Sequence, residues 1–308
     1  MLPRAGYHGI MPIATDTNGG TPTLFLSQQQ SENPDVVFLP LPFDSTSSYL
    51  KGAALAPEAI LRASVELETL EFETGIEPFR HIAQKTLQPL VPAAQDSTER
   101  YMERIEAATS SIHPEVLLLG IGGNHSITPP LVNARLSQPG TVVQIDAHLD
   151  LRETYEGSRH SHACPMRRIH EMGHELIQIG IRSADPSELD YARQYPDAIR
   201  VFPAHSIDAD WPILMETLTA IRGPVYLTID VDGLDPTIVP GTGTPVPGGL
   251  RWHQACTIID QTIGAPGGTL VGADVVETIP VAGTVVNEVV AASLLFRILA
   301  TWTKRRFL

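Results

Sequence analysis

Short apolar segments recur along the chain, and longer amphipathic segments separate most of them. The apolar segments are rich in β-branched residues and end in turn residues, which is typical of buried strands. The predicted strands are 36–40, 115–120, 141–145, 176–180, 199–202, 225–229 and 270–275, with 82–90 as a weaker eighth. Helical periodicity and start signals predict helices over 57–68, 97–112, 185–194, 210–221, 251–263 and 286–304.

The alternation of wholly apolar strands with helices predicts an α/β fold. Strands that are apolar on both faces indicate a mainly parallel sheet with helices packed on both sides. No linker or composition break divides the chain, so we expect a single domain over residues 1–308. Residues 1–33 are rich in Gly, Thr and Gln with weak periodicity, and we expect them to form an N-terminal arm or loop.

The composition indicates a large core and an acidic protein. Hydrophobic residues make up 43% of the 308 residues, and 21 basic against 35 acidic side chains give a formal net charge of −14. Nucleic-acid binders that rely on phosphate contacts usually carry the opposite charge, so no nucleic-acid partner is expected. An acidic chain is better suited to a cationic small molecule or to metal ions.

The expected location is the cytoplasm. Two cysteines, Cys164 and Cys256, cannot form a disulfide framework, which favours a reducing compartment. The N-terminal segment lacks the apolar core of a secretory signal. The sequence has no run of about 18 uncharged apolar residues, so neither a transmembrane helix nor a membrane partner is expected.

Acidic residues and histidines follow four of the predicted strands. In chain order, the segments that follow are IGGNHS, DAHLD, DVDGLDP and DVVE. Ligands of α/β folds bind outside the carboxyl ends of parallel strands, so these segments are expected to share one site. On an extended chain, Asp146, His148 and Asp150 would point to one side while the residues between them pack inward, and Asp230 and Asp232 repeat this spacing.

These clustered carboxylates indicate a metal centre. One such cluster is usually a solvated turn or a helix cap, but two of them beside a Gly-Gly-Asn-His segment favour metal binding. Bare carboxylates repel one another when buried, and a divalent cation removes that conflict. The six candidate ligands are His125, Asp146, His148, Asp150, Asp230 and Asp232. They are too many for one tetrahedral zinc ion and suit two Mn²⁺ ions, while Zn²⁺, Ni²⁺ and Fe²⁺ remain compatible with the same donors.

Several of these segments resemble the signatures of a known family. The stretches IDAHLD, TIDVDGLDPTIVPGTGTP and GADVVE are similar to the three signatures of the ureohydrolases, the family of arginase, agmatinase and their relatives, and GGNHS resembles its GGDHS element. The stretch DAHLDLRETYEGSRHSHACPMRR is especially similar to bacterial and archaeal agmatinases. The resemblance covers about residues 36–298.

The resemblance implies an arginase-like eight-stranded parallel sheet, a binuclear Mn²⁺ site and assembly into homotrimers or homohexamers. It implies that His125, Asp146, Asp150 and Asp230 bind one ion. It also implies that Asp146, His148, Asp230 and Asp232 bind the other, so that Asp146 and Asp230 bridge the two ions.

The resemblance also implies roles outside the ligand set. Glu277 occupies the position of the carboxylate that pairs with the substrate's guanidinium group. His162 stands where the family has a histidine that carries protons, although His160 is only two residues away.

Three further residues are expected to orient or tune the ligands. Asp235 and Asp274 are predicted to orient metal ligands through hydrogen bonds. Asn124 replaces the acid that the family commonly has before the ligand histidine. Because the amide lacks that negative charge, it is expected to change metal affinity while activity survives.

The expected reaction is hydrolysis of agmatine to putrescine and urea. The loop after Asp150, LRETYEGSRHSHA, lacks the Asn that arginases use for an amino-acid head, and Arg152 follows instead, so arginine is disfavoured. Guanidinobutyrate and guanidinopropionate stay open because Arg152 or Arg159 could face a substrate carboxylate. Formiminoglutamate hydrolysis is a more distant alternative. A catalytically silent regulatory relative is disfavoured because no ligand is lost.

Overall fold

The computed structural model describes residues 25–308. The strands are β1 (Val36–Leu41), β2 (Gln84–Thr86), β3 (Leu117–Gly122), β4 (Thr141–Ile145), β5 (Glu175–Ile181), β6 (Ile199–Pro203), β7 (Arg222–Asp230) and β8 (Gly267–Val276). The helices are α1 (Ala56–Ser64), α2 (Thr98–Ser110), α3 (Thr128–Arg135), α4 (Pro165–Glu171), α5 (Pro186–Gln194), α6 (Ile207–Thr219), α7 (Trp252–Gly264) and α8 (Val286–Phe307).

The eight strands form one sheet in the order β2-β1-β3-β8-β7-β4-β5-β6, and every neighbouring pair is parallel. Strands β1, β3 and β4 are buried at every residue, as their apolar sequences predict. One hydrophobic cluster packs α1, α6, α7 and α8 on one face of the sheet, and a second packs α2 to α5 on the other. The predicted α/β fold, with helices on both faces of an eight-stranded parallel sheet, is confirmed.

The structure differs from the prediction in its short elements. The weak strand over 82–90 is reduced to the three residues of β2. Helices α3 and α4 were not predicted, and both have prolines in their first turn. A proline is tolerated there because the first backbone N–H groups of a helix have no partner within the helix.

The described part of the predicted N-terminal arm packs against the domain core. Phe25 is fully buried and stacks on Phe38 of β1 with ring centroids 4.3 Å apart. Gln30 forms an isolated parallel bridge with Gln84 of β2. The prediction for residues 1–24 lies outside the described residues, and the assignment of a single domain over 1–308 stays a prediction.

Helix α8 is the longest helix of the described chain. By length and composition it could span a membrane, with a mean hydropathy of 1.2 over its most apolar window. However, 78% of that window is buried inside the fold. Ala291, Leu295 and Leu299 have no exposed surface. The apolar character of α8 is therefore explained by its place in the core.

Candidate active site

The carboxyl ends of β3, β4 and β7 bring the predicted ligands together. Ligand atoms of His125, Asp146 and Asp150 form one group in which all lie within 4.8 Å of one another, and those of Asp146, His148 and Asp232 form a second. The Nδ1 atom of His125 lies 3.1 Å from Oδ2 of Asp146 and 3.0 Å from Oδ2 of Asp150. Asp146 belongs to both groups, as expected of a bridging carboxylate.

Asp230 lies beside the first group. Its Oδ2 is 3.6 Å from Nδ1 of His125, and its Oδ1 accepts the backbone N–H of Asp232 at 2.8 Å. One oxygen is thus turned toward the predicted ligands while the other holds the following turn. Its bridging role stays a prediction.

The ligands converge through turns, so the predicted extended geometry is wrong in detail. Strand β4 ends at Ile145, and the next five residues form a loop in which Asp150 has a left-handed φ of 54°. The carboxylate of Asp146 accepts the N–H of His148 at 2.6 Å, which curls the chain. Asp232 likewise lies in a 3₁₀ turn. Side-chain capping of these turns achieves the clustering that alternation along a strand was expected to give.

The imidazole of His125 is prepared to bind a cation. Its Nε2 contacts Oγ1 of Thr228 at 2.9 Å, and that hydroxyl donates to Oδ1 of Asp274 at 2.6 Å. Because the hydroxyl proton points to Asp274, Nε2 must donate to Thr228, and Nδ1 is left with its lone pair. Nδ1 is buried and has no hydrogen-bond partner among the residues that the structure describes. A divalent ion among these acids would satisfy it, so the residues fit the predicted metal site.

The electrostatics of the group show why it needs positive charge. Burial and the nearby Asp146 raise the pKa of Asp150 to about 7, and burial together with Asp232 raises the pKa of Asp230 well above its ordinary value. Burial opposes a charge on His148, but Asp146 and Asp232 outweigh it and raise the pKa of His148 to about 11. The neighbouring carboxylates repel one another when ionised, and two bound cations would offset this repulsion.

A row of buried polar residues crosses the sheet beneath the site. Gln178, Gln144, Thr228 and Asp274 lie on β5, β4, β7 and β8 and are paired in register, each to the next. All four are fully buried. Gln178 donates to Gln144 at 2.6 Å, and Gln144 donates to Oδ2 of Asp146 at 2.6 Å. The row thus orients two predicted ligands from below, Asp146 through Gln144 and His125 through Thr228.

In this row, only Asp274 has a predicted role. The signal for the other three is a polar residue in the interior of a mainly apolar strand, and for those in β4 and β7 a predicted metal ligand follows two positions later. Arg182, directly after β5, also had no predicted role. Its guanidinium group donates to the carbonyl oxygens of Asp232 at 2.5 Å and Val246 at 2.7 Å and so braces the turn of Asp232.

Glu277 lies against the metal ligands in a strained backbone conformation. Its φ is 63°, which is uncommon for a residue with a side chain. Its Oε1 accepts the backbone N–H of His125 at 2.7 Å, and burial raises the pKa of its carboxyl to about 8. A cavity of about 300 Å³ opens beside it and is also lined by His148, Asp150 and His162.

His162 faces this cavity, and His160 is not among its lining residues. Nδ1 of His162 lies 2.6 Å from the carbonyl oxygen of Thr46, and Nε2 lies 3.4 Å from Oγ of Ser48. Burial lowers the pKa of His162, and so favours its neutral form. Of the two histidines, His162 is therefore the one that faces the cavity, and its role as proton carrier stays a prediction.

The structure corrects the contacts expected of Asn124 and Asp235. The amide of Asn124 donates to Oγ1 of Thr46 at 2.7 Å and accepts from Ser126 at 2.6 Å, so it faces the loop after β1. Asp235 accepts from backbone N–H groups, including that of Gly248 at 2.8 Å. Within residues 25–308, neither side chain forms a hydrogen bond with a predicted ligand. Both side chains therefore stabilise loops. The described residues provide no direct contact through which Asn124 could change metal affinity as predicted.

The two arginines considered as partners of a substrate carboxylate already have acidic partners. Arg152 lies 3.7 Å from Asp185 and 3.9 Å from Glu188, and its guanidinium group stacks over Tyr155 at 4.9 Å. Arg159 pairs at 2.9 Å with a glutamate of α4. These pairs reduce the positive charge that either arginine offers to the cavity.

The sequence profile of the arginase family matches residues 34–300. The chain belongs to the arginase family. It is 37% identical to the N(1)-aminopropylagmatine ureohydrolase of Synechocystis sp., over 87% of this chain and 89% of that protein. It is also 37% identical to an agmatinase of Pyrococcus horikoshii, over 73% and 78% of the two chains. The agmatine ureohydrolase of Thermoplasma volcanium superposes with a TM-score of 0.80 at 27% identity, covering 92% of this chain and 95% of that one.

Membership of the arginase family makes the chain an agmatinase-like ureohydrolase, an enzyme that hydrolyses a guanidino compound. The family depends on two metal ions, and this chain has the His and Asp groups for them. Manganese as the metal, the individual ligand roles and the oligomeric state stay predictions.

Removing divalent ions is expected to lower the thermal stability of this arginase-family chain, because its clustered carboxylates lose their counter-charges. An ion present at a hundred times its Kd adds about 2.7 kcal/mol per site. For a chain of this length, that raises Tm by roughly 4 °C per site. Scanning calorimetry of chelated protein, before and after Mn²⁺ is restored, measures the shift. Equal midpoints would contradict a metal site at these residues.

Proposed function

We propose that this enzyme hydrolyses agmatine to putrescine and urea with two Mn²⁺ ions, as a homotrimer or homohexamer in the cytoplasm. The charge of the cavity carries the choice of substrate. Within the described residues, four acids and one arginine line it; the acids are Asp150, Asp185, Glu188 and Glu277. A substrate with a cation at each end suits such a cavity, whereas a distal carboxylate would meet Asp185 and Glu188, which share the single positive charge of Arg152.

The pairing of Arg152 supports this choice further. Its guanidinium group is shared between Asp185 and Glu188, so a substrate carboxylate would have to compete with two acids for it. The side chain of Asp185 is 37% exposed, and it can therefore meet a substrate ammonium group at the rim of the cavity. Guanidinobutyrate, guanidinopropionate and arginine all bring a carboxylate to this region.

A second candidate substrate is N(1)-aminopropylagmatine. The relatives from Synechocystis sp. and Thermus thermophilus that bear this name are each 37% identical to the chain. This compound has the same terminal guanidino group and a longer cationic tail, so the acidic rim suits it as well. The two candidates differ only in the length of tail that the rim must accommodate.

The chain's own residues supply recognition and proton transfer. Glu277 is placed to pair with the planar guanidinium cation, and the site's acids hold the ions. Two divalent ions held by these residues would lower the pKa of the attacking water and would stabilise the negative charge that develops on its oxygen. As the carbon–nitrogen bond breaks, its electron pair stays on the departing nitrogen. Nε2 of His162 first accepts the proton that the attacking water gives up and then passes it to that nitrogen, so the amine leaves neutral.

We expect agmatine to be hydrolysed with a kcat/KM at least about 100-fold above that of arginine or guanidinobutyrate, since a carboxylate placed beside like charges costs several kcal/mol. Urea release with Mn²⁺ present, across a panel that includes N(1)-aminopropylagmatine, measures this. Asp185→Asn should reduce the ratio of kcat/KM for agmatine to that for guanidinobutyrate. Asp190→Asn, which changes an exposed acid on the helix that Asp185 caps, should leave this ratio unchanged. A preference for either carboxylate-bearing compound would refute the proposal.

A further inference from the structure

His162 is held in one tautomer by the loop that follows β1. A carbonyl oxygen can only accept a hydrogen bond, so the 2.6 Å contact with the carbonyl of Thr46 requires a proton on Nδ1. Nε2 then carries the lone pair, and it lies 3.4 Å from the hydroxyl of Ser48, which also lines the cavity. The nitrogen available for proton transfer is thus selected by a backbone group.

The position of that carbonyl depends on the side chain of Thr46. Its Oγ1 accepts the backbone N–H of His162 at 3.2 Å and the amide of Asn124 at 2.7 Å. The threonine therefore contacts the histidine twice, once through its hydroxyl and once through its carbonyl. Both groups of His162 that Thr46 contacts are N–H donors, so the two bonds fix the ring and its backbone together.

Asn124 anchors this arrangement to the sheet. It is fully buried directly after β3, and its backbone N–H donates to the carbonyl of Phe43 at 2.7 Å. The approach is close, because a Cβ on Gly123 would lie 1.8 Å from that same carbonyl oxygen. Its Oδ1 accepts the hydroxyl of Ser126 at 2.6 Å, which orients the amide toward Thr46.

Among the described residues, the other side-chain hydrogen bonds between this loop and the site are longer. Oγ of Ser47 accepts the amide of Asn124 at 3.4 Å, and Oγ of Ser48 lies 3.4 Å from Nε2 of His162. Residues 48–50 are exposed, and within the loop Asp44 accepts the N–H of Gly52 at 2.9 Å. The hydrogen bonds of Thr46 are thus the loop's main ties to the site.

We propose that Thr46 and Asn124 are positioning residues for His162: they place the loop carbonyl that keeps the proton on Nδ1 and the lone pair of Nε2 toward the cavity. This rests on the proposed proton transfer by His162. It also assigns residue 124 an action on the proton carrier, where the sequence suggested an action on the metals.

A double-mutant cycle tests the proposal. Thr46→Val keeps the shape of the side chain and removes the acceptor, so kcat for agmatine should fall about tenfold, as expected for two lost hydrogen bonds. KM and the number of bound ions should stay unchanged, and Thr46→Ser should restore kcat. In a His162→Asn background, where the proton carrier is already lost, Thr46→Val should cost less than about twofold. Asn124→Ala should follow the same pattern.

Additive losses in this cycle, or loss of bound metal in Thr46→Val, would overturn the proposal. Thr109→Val is the matched control, because its hydroxyl is buried in α2 without a partner among the described residues. It should keep full activity. A fall equal to that of Thr46→Val would mean that the loss of a buried hydroxyl acts through stability alone, which also overturns the proposal.

The tautomer itself gives a readout that does not depend on turnover. In ¹⁵N-histidine protein loaded with diamagnetic Zn²⁺, the His162 signals, assigned by difference from His162→Asn, should show the proton on Nδ1. Thr46→Val should shift them toward a mixture. An Nε2-protonated ring in the parent overturns the positioning proposal. If the parent releases no urea from any guanidino compound, the proposed function fails, and the tautomer still tests the positioning.

Discussion

Glu277→Gln is expected to lower kcat/KM for agmatine by about a thousandfold. The loss of one partner from a buried charge pair costs about 2–5 kcal/mol, and the substrate's guanidinium has Glu277 as its proposed partner. The substitution is well suited to the question, because the glutamine oxygen can still accept the N–H of His125 that Oε1 accepts now. The charge changes while the ligand's backbone anchor survives.

Steady-state kinetics together with metal analysis separate the two functions of this residue. Two bound ions should remain in Glu277→Gln, so that its low activity is a loss of substrate recognition. Glu288→Gln is the matched control, since Glu288 is also buried but lies in the first turn of α8. It should keep activity within about threefold. A Glu277→Gln enzyme with parental kcat/KM would show that the guanidinium binds elsewhere.

Asp146→Asn is expected to lower the rate of urea release at least about a thousandfold. The variant protein should bind less than one ion per chain. Asp146 is the residue common to both candidate metal groups, so its replacement weakens both ions. His148→Asn removes a ligand from one group only and should keep one ion. When one ligand is removed and an ion is lost, the remaining buried carboxylates have no counter-charge. The expected effect is therefore larger than that of a surface substitution.

Metal content after desalting, measured beside urea release, decides between the variants. Asp235→Asn is the control, because its carboxylate binds loop N–H groups such as that of Gly248 and should leave both ions in place. Asp230→Asn should resemble Asp146→Asn if Asp230 bridges. An Asp146→Asn protein that retains two ions would contradict the shared position of this carboxylate.

The sheet and the clustering of the candidate ligands were predictable because their signals are local. A strand buried on both faces must be apolar throughout, and polar residues clustered at its carboxyl end are conspicuous by contrast. The same reasoning located His125, Asp146 and Asp230 without knowledge of strand order. The same reasoning did not predict the backbone conformation of these segments, because capped turns and extended strands can bring the same side chains together.

The remaining errors concern contacts between distant segments. The direction of the Asn124 amide is set by Thr46, 78 residues earlier, and the pairing of Arg152 is set by Asp185, which caps the N-terminus of α5. Neither pairing leaves a periodic pattern in the sequence.

Helices α3 and α4 were missed for a different reason, because their prolines resemble turn signals although they occupy first-turn positions.

The order of strands in the sheet has a consequence for how the enzyme matures. Strands β3 and β4 are consecutive in the chain, yet β8 and β7 lie between them, which separates them by three strand spacings, about 14 Å. A nascent chain that ends before Arg222 has made four of the six candidate ligands, but the strands that carry them cannot yet be neighbours through a completed sheet. The space between β3 and β4 is filled only when β7 and β8 insert between them. In this arrangement the six candidate ligands come together only after residues 222–276, which carry the last two strands and the two remaining ligands, have been made and have joined the sheet.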